Sequence, residues 1–173
     1  LNEVKFGDAR LDQRLLTLAT QFFQHPESSL PFACEDWAGA KACYRFFQNP
    51  KVDSKKILTA HRNKSMGRIK DEEMLLVIQD TTFINYAHHY KTTGLGRIGK
   101  GKKSDSSGLI MHTALALSET GLPIGLLDQK IYARPFSEGL RSRNRHSTPI
   151  EAKESYRWLE TFRNSIKGIA NMS

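Results

Sequence analysis

Residues 74–82, Met-Leu-Leu-Val-Ile-Gln-Asp-Thr-Thr, constrain this chain more than any other segment. A continuous apolar run of this length between polar flanks reads as a buried strand, and it delivers one acid, Asp80, at its C-terminal end. A carboxylate at the edge of a sheet is costly unless it is paired or coordinates a metal. In open sheets, moreover, chemistry gathers beyond the carboxyl ends of the strands. Asp80 is therefore the first residue whose presence needs a functional account.

Upstream of that run the apolar period is helical. Asp8 can cap a helix to about Phe23, in which Leu11, Leu15, Leu18, Ala19 and Phe22 recur at three- and four-residue steps and Arg10, Arg14, Thr17 and Gln21 occupy the opposite face. His25-Pro26 ends it. A second helix is expected over Glu35–Gln48, with Trp37, Ala40, Tyr44 and Phe47 as its apolar stripe and Lys41 and Arg45 as an i,i+4 basic pair. Trp37 on that stripe reads as core. A third helix, capped by Asp53 or Ser54, should run to about Arg68.

Downstream the period changes. Leu109–Leu117 and Pro123–Tyr132 are further apolar runs, and Glu119-Thr120-Gly121-Leu122 between them reads as a hairpin turn, so the sheet should be antiparallel or mixed. From Thr148 or Pro149 a last helix should place Ile150, Tyr156, Leu159, Phe162 and Ile166 on its apolar side. The fold class is therefore α+β (mixed): an all-helical module over residues 1–70, then strands and a helix over 71–173.

The chain has 173 residues, 39% of them hydrophobic, enough for a real core, and no window suits a bilayer span or a secretory signal. A cytoplasmic location is the expectation. The cysteines, Cys34 and Cys43, lack zinc-ligand spacing to any partner and read as reduced structural thiols. A net charge of +8 and a pI near 9.6 imply polyanionic partners. The basic residues are expected to concentrate on the helical part, in Arg97–Lys103 and in Arg141–His146. The 97–103 loop lacks the ending of a nucleotide-binding P-loop, which argues against ATP use.

Several short segments carry a family likeness. Gly7-Asp8-Ala9-Arg10 with Arg14, then Ala42-Cys43-Tyr44-Arg45-Phe46-Phe47-Gln48-Asn49-Pro50, then Ile78-Gln79-Asp80-Thr81-Thr82, then His112 and Ala133-Arg134-Pro135, together resemble bacterial DDE insertion-sequence transposases of the Tn-five and IS-four kind. The resemblance implies a helical domain that grips transposon-end DNA, followed by the first strands and helix of a ribonuclease-H-like catalytic core. It also implies a homodimer in the DNA complex. Asp80 matches the first of three metal-binding acids; the other two lie later in such proteins, so the chain is expected to be an excised fragment, inactive alone.

Phosphodiester cleavage and strand transfer use two divalent ions roughly 4 Å apart, and a single Asp cannot hold both. Mg2+ or Mn2+ is the expected cofactor, with Asp80 as catalytic and metal-binding residue. By itself Asp80 could equally cap a turn with Thr81 and Thr82. Arg10, Arg14, Lys41 and Arg45 are the candidate contacts to double-stranded DNA, and the resemblance places Arg10, Arg14 and Arg45 at family positions that touch it; the plain alternative is a solvated helix face. His112 is as well explained by a satisfied structural histidine as by an active-site neighbour. The rival function is a non-catalytic DNA-binding protein descended from a decayed transposase, and a weaker one a general nucleic-acid module.

Overall fold

A computed structural model describes residues 1–89, 91–98, 106–134 and 148–170. The chain divides into two compact units, Leu1–Asn63 and Lys64–Ser173.

The first unit is helical. Helix α1, Ala9–Gln24, starts where Asp8 accepts a hydrogen bond from the Arg10 amide, satisfying one of the free N–H groups at its first turn. A short helix α2, Leu30–Ala33, precedes α3, Trp37–Phe47, and Asp53 caps α4, Ser54–Ile69, through the Lys55 amide at 2.8 Å. The single helix expected over 35–48 is thus shortened at its start. Glu35 takes a positive φ of 68°, and Asp36 turns the chain into α3 by accepting from the Gly39 amide at 2.6 Å. A Cβ at Gly39 would sit 2.5 Å from the Cys34 carbonyl oxygen, so only glycine lets this tight turn close.

Leu15 and Leu18 of α1, Ala40, Cys43 and Phe46 of α3, and Cys34 and Ala60 form one core. Val4 and Phe6, ahead of α1, complete it; the Phe6 ring meets Phe46 edge to face at 5.9 Å, and its amide donates to Asp12 at 2.8 Å. Burying a side chain such as Leu18 contributes about 1.5–3 kcal/mol.

In the second unit, β1 is Leu75–Asn85, β2 Gly96–Arg97, β3 Ser107–Ser118 and β4 Pro123–Tyr132, all antiparallel, with β3 central between β1 and β4. The β3–β4 hairpin closes as expected, with Gly121 at φ 85° and the Leu122 amide donating to Ser118 Oγ. A 3-10 turn at Ile150–Ala152 leads to α5, Tyr156–Ala170. One sheet face is covered: Met66 and Ile69 from the end of α4 pack with Ala114, Ala116 and Leu127, joined by Ile169 of α5. The arrangement is α+β, as read from the sequence.

Two expectations are corrected. The run at 74–82 is not a doubly buried strand: β1 alternates, Leu76 and Ile78 remain 42% and 51% exposed, and Asp80 lies mid-strand because pairing continues to Asn85. Helix α5 turns Thr161 and Ser165 inward and leaves Leu159, Phe162 and Ile166 exposed, the reverse of the expected apolar side. The sheet explains this, since it offers α5 polar partners. Asn164 donates to Asp128 at 3.0 Å, Lys130 pairs with Glu160, and Arg157 reaches Thr81. Among the described residues, no helix is long and apolar enough to cross a membrane.

Candidate functional site

Residues 1–70 hold twelve Lys and Arg against seven Asp and Glu, so most of the chain's net charge of +8 lies on the helical part. Placement matters more than count. Ala40, Cys43 and Phe46 point one side of α3 into the core; at 100° per residue, Lys41 and Arg45 project from directly opposite, and both are exposed. Trp37, Tyr44 and Gln48 flank them. Trp37 is 75% exposed and Tyr44 45%, which overturns the reading of Trp37 as core. The core beneath α3 takes Ala40, Cys43 and Phe46 instead.

The result is an outward face combining two cations one turn apart with two aromatic rings. Arginine's planar fork suits phosphates and guanine edges, and an exposed ring adds apolar contact to sugars and bases.

Arg10 is exposed but engaged. Its guanidinium clasps Asp8 through Nη2–Oδ2 at 3.0 Å and Nε–Oδ1 at 3.2 Å, and this bonding holds the Asp8 carboxyl below its usual range and raises Arg10 above its own. An exposed pair of this kind is readily exchanged for a phosphate. Arg14 is half-buried, near enough to Cys43 for its charge to favour the thiolate. Burial dominates there, however, and together with a hydrogen bond to Cys34 that favours the protonated thiol it pushes Cys43 up to about 11. The structure thus pairs Lys41 with Arg45 and sets Arg14 on the α1 flank facing α3. The clusters at Gly99–Lys103 and Arg141–His146 lie outside the described residues, and Arg97 is half-buried in β2.

Residues 1–52 match the transposase DNA-binding family model. The match supports a DNA-binding function for this unit and a transposase as the protein that carries it. It spans α1 to α3 and contains Arg10, Arg14, Lys41 and Arg45, whereas Asp80 lies beyond it.

In the second unit Asp80 is exposed on the open face of the sheet, in register with Thr113 and Gln129. Asp128 belongs to the opposite, covered face. One carboxylate is a single ligand, and no group of three or more His, Cys, Asp or Glu able to hold a metal occurs among the described residues. These residues alone therefore do not make a two-ion site.

Beneath Asp80, on the covered face, lies a polar network that sequence reasoning largely missed. His112 is fully buried, its Nδ1 2.7 Å from Thr81 Oγ1 and its Nε2 3.0 Å from Gln79 Oε1, with the Trp158 ring edge-on at 4.6 Å. Burial, and next the charge of Arg157, lower its pKa. Arg134 of the Ala133-Arg134 pair donates twice to Glu154 and once to the Arg97 carbonyl, while Arg157 approaches Glu154 and Tyr132. Burial, then the Glu154 charge, raise the Tyr132 phenol. Pro135 lies outside the described residues. Glu154 just ahead of α5 and the polar residues Arg157 and Asn164 within it were the available signal.

Proposed function

We propose that the chain is the N-terminal part of a bacterial DDE transposase of the Tn-five and IS-four kind, whose helical unit recognises double-stranded transposon-end DNA. The observation that carries this reading is the outward Lys41–Arg45 face of α3, flanked by Trp37 and Tyr44, inside the segment that matches the transposase DNA-binding family. A rigid helix with cations on one side and its core on the other is a form that major-groove readers share.

The second unit then contributes the opening of a ribonuclease-H-like core in which Asp80 is the first catalytic carboxylate. Mg2+ or Mn2+ would supply the electrostatic stabilisation of phosphodiester cleavage and strand transfer in the complete, homodimeric, cytoplasmic enzyme. Asp80 is one ligand, and the remaining acids come from elsewhere in that enzyme. The inward polar network holds β1, and the open sheet face leaves the carboxylate accessible.

The test is selection of duplexes from a randomised pool at near-physiological salt, followed by cleavage assays of Asp80→Asn in the complete enzyme. Enrichment of one motif that also borders a mobile element supports the reading, and retention without enrichment refutes a sequence-reading end binder. Cleavage lost with binding intact supports the catalytic role of Asp80; cleavage retained overturns it. A complete reading frame without further acids would move the function to the non-catalytic DNA-binding protein.

A further inference from the structure

We propose that His112 is a positioning residue for Asp80, acting through Gln79 and Thr81; the proposal rests on the reading of Asp80 as a catalytic carboxylate. Asp80 projects from a strand that pairs, among the described residues, with β3 alone, and its neighbours Leu76 and Ile78 on the same face are largely open. The direction of its side chain is therefore set by the backbone of residues 79–81, and that backbone is anchored from behind.

The anchor is a single imidazole. His112 stands opposite Thr81 in the β1–β3 register and diagonal to Gln79, so its ring spans the two side chains that bracket Asp80. The polarity is self-consistent. Gln79 Oε1 can only accept, so Nε2–H donates to it at 3.0 Å; Nδ1 then accepts from the Thr81 hydroxyl at 2.7 Å, and that oxygen accepts in turn from Arg157 Nε–H at 3.4 Å. The ring is thereby held in one neutral tautomer, and Trp158 on α5 closes over it at 4.6 Å. Phenylalanine would fill the same space but remove the bond to Gln79 Oε1 and the acceptor for the Thr81 hydroxyl, leaving Thr81 only its contact with Arg157. The residue type follows from the need to bond both neighbours of Asp80 with groups of opposite polarity.

A purely structural histidine would alter global stability and nothing local. The distinguishing experiment uses the isotope-labelled 173-residue chain and reads two quantities: the Asp80 Hα–Hβ couplings, which report its side-chain rotamer, and amide hydrogen exchange at residues 79–82 relative to Ala114 and Ala116. The unsubstituted chain should show one dominant Asp80 rotamer. His112→Phe and Thr81→Val should average the couplings and speed exchange at 79–82 roughly tenfold, with Ala114 and Ala116 unchanged. His112→Gln, which restores one bond, should recover part of both signals. Native couplings and exchange in the Phe and Val variants would overturn the proposal, as would exchange that rises uniformly across the sheet. If His112→Phe fails to fold, Thr81→Val alone decides. Because neither readout needs catalysis, this outcome is separable from cleavage by Asp80→Asn, which bears on the catalytic reading itself.

Discussion

Arg45→Ala is the substitution that most directly tests the α3 face. Arg45 projects opposite the buried side of the helix, so truncation removes no core contact. The structural cost is confined to the loss of a cation in the last turn, about 0.3–1 kcal/mol, and the melting temperature should barely move. The binding cost depends on what the side chain touches. A bidentate contact to a base is worth about 1–3 kcal/mol, roughly 5- to 150-fold in affinity, and its loss relaxes preference at one base pair; a phosphate contact instead lowers the salt slope by about one unit across all sequences. Fluorescence anisotropy on a selected duplex and a scrambled one, over a series of salt concentrations, separates the two. Arg45→Lys should rescue a phosphate contact and fail to rescue a base contact. Unchanged affinity together with an unchanged salt slope would remove α3 from the interface and, with it, the main support for the proposed function.

Trp37→Ala should leave thermal stability within about 0.5 kcal/mol, because the ring is exposed, yet weaken duplex binding in the same titration; equal affinity would make the ring a bystander. Gly39→Ala should destabilise the helical unit by about 1–3 kcal/mol, since the new methyl meets the Cys34 carbonyl at 2.5 Å, and an unshifted unfolding midpoint would show that the turn can open at no cost. Alkaline titration should expose Cys43. The folded unit keeps its proton up to about 11 while the unfolded chain releases it near 9.0, so the stabilising contribution is complete below pH 9 and lost by about pH 11, some 2–3 kcal/mol. Subtracting the profile of Cys43→Ala should isolate that loss, and coincident profiles would contradict it. For His112 the sign is opposite: its folded pKa is lowered, so stability falls as pH drops below 6.5, a loss that His112→Phe should remove.

The elements that announced themselves in the sequence did so through local signals with one interpretation. The Asp8 cap, the Leu11–Leu15–Leu18–Phe22 spacing and the Gly121 turn each follow from backbone requirements that no distant contact overrides. Asp80 was legible as an isolated acid in an apolar run. What failed was phase. In α3 two apolar stripes coexist, and Trp37, Tyr44 and Phe47 compete with Cys43 and Phe46 on any hydrophobic count, although it is Ala40, Cys43 and Phe46 that are buried. In α5 the same counting places Leu159, Phe162 and Ile166 inside, whereas the charged and hydroxyl groups of β1 and β4 select the polar side of the helix. The network around His112 joins residues from three separated segments, and no spacing along the chain reveals it.

The two thiols described above make the helical unit self-reporting. Both cysteines of the chain lie in its core, at Cys34 and Cys43, and neither is in the sheet unit. A thiol-modifying reagent at neutral pH therefore meets a protonated, enclosed sulfur at Cys43 and gains access when the helices part. The modification rate measures opening of the first unit alone, without contribution from the sheet. With bound duplex the same rate falls only to the extent that DNA favours the closed helices, so the native sequence already contains the probe that separates folding of the reader from binding by it.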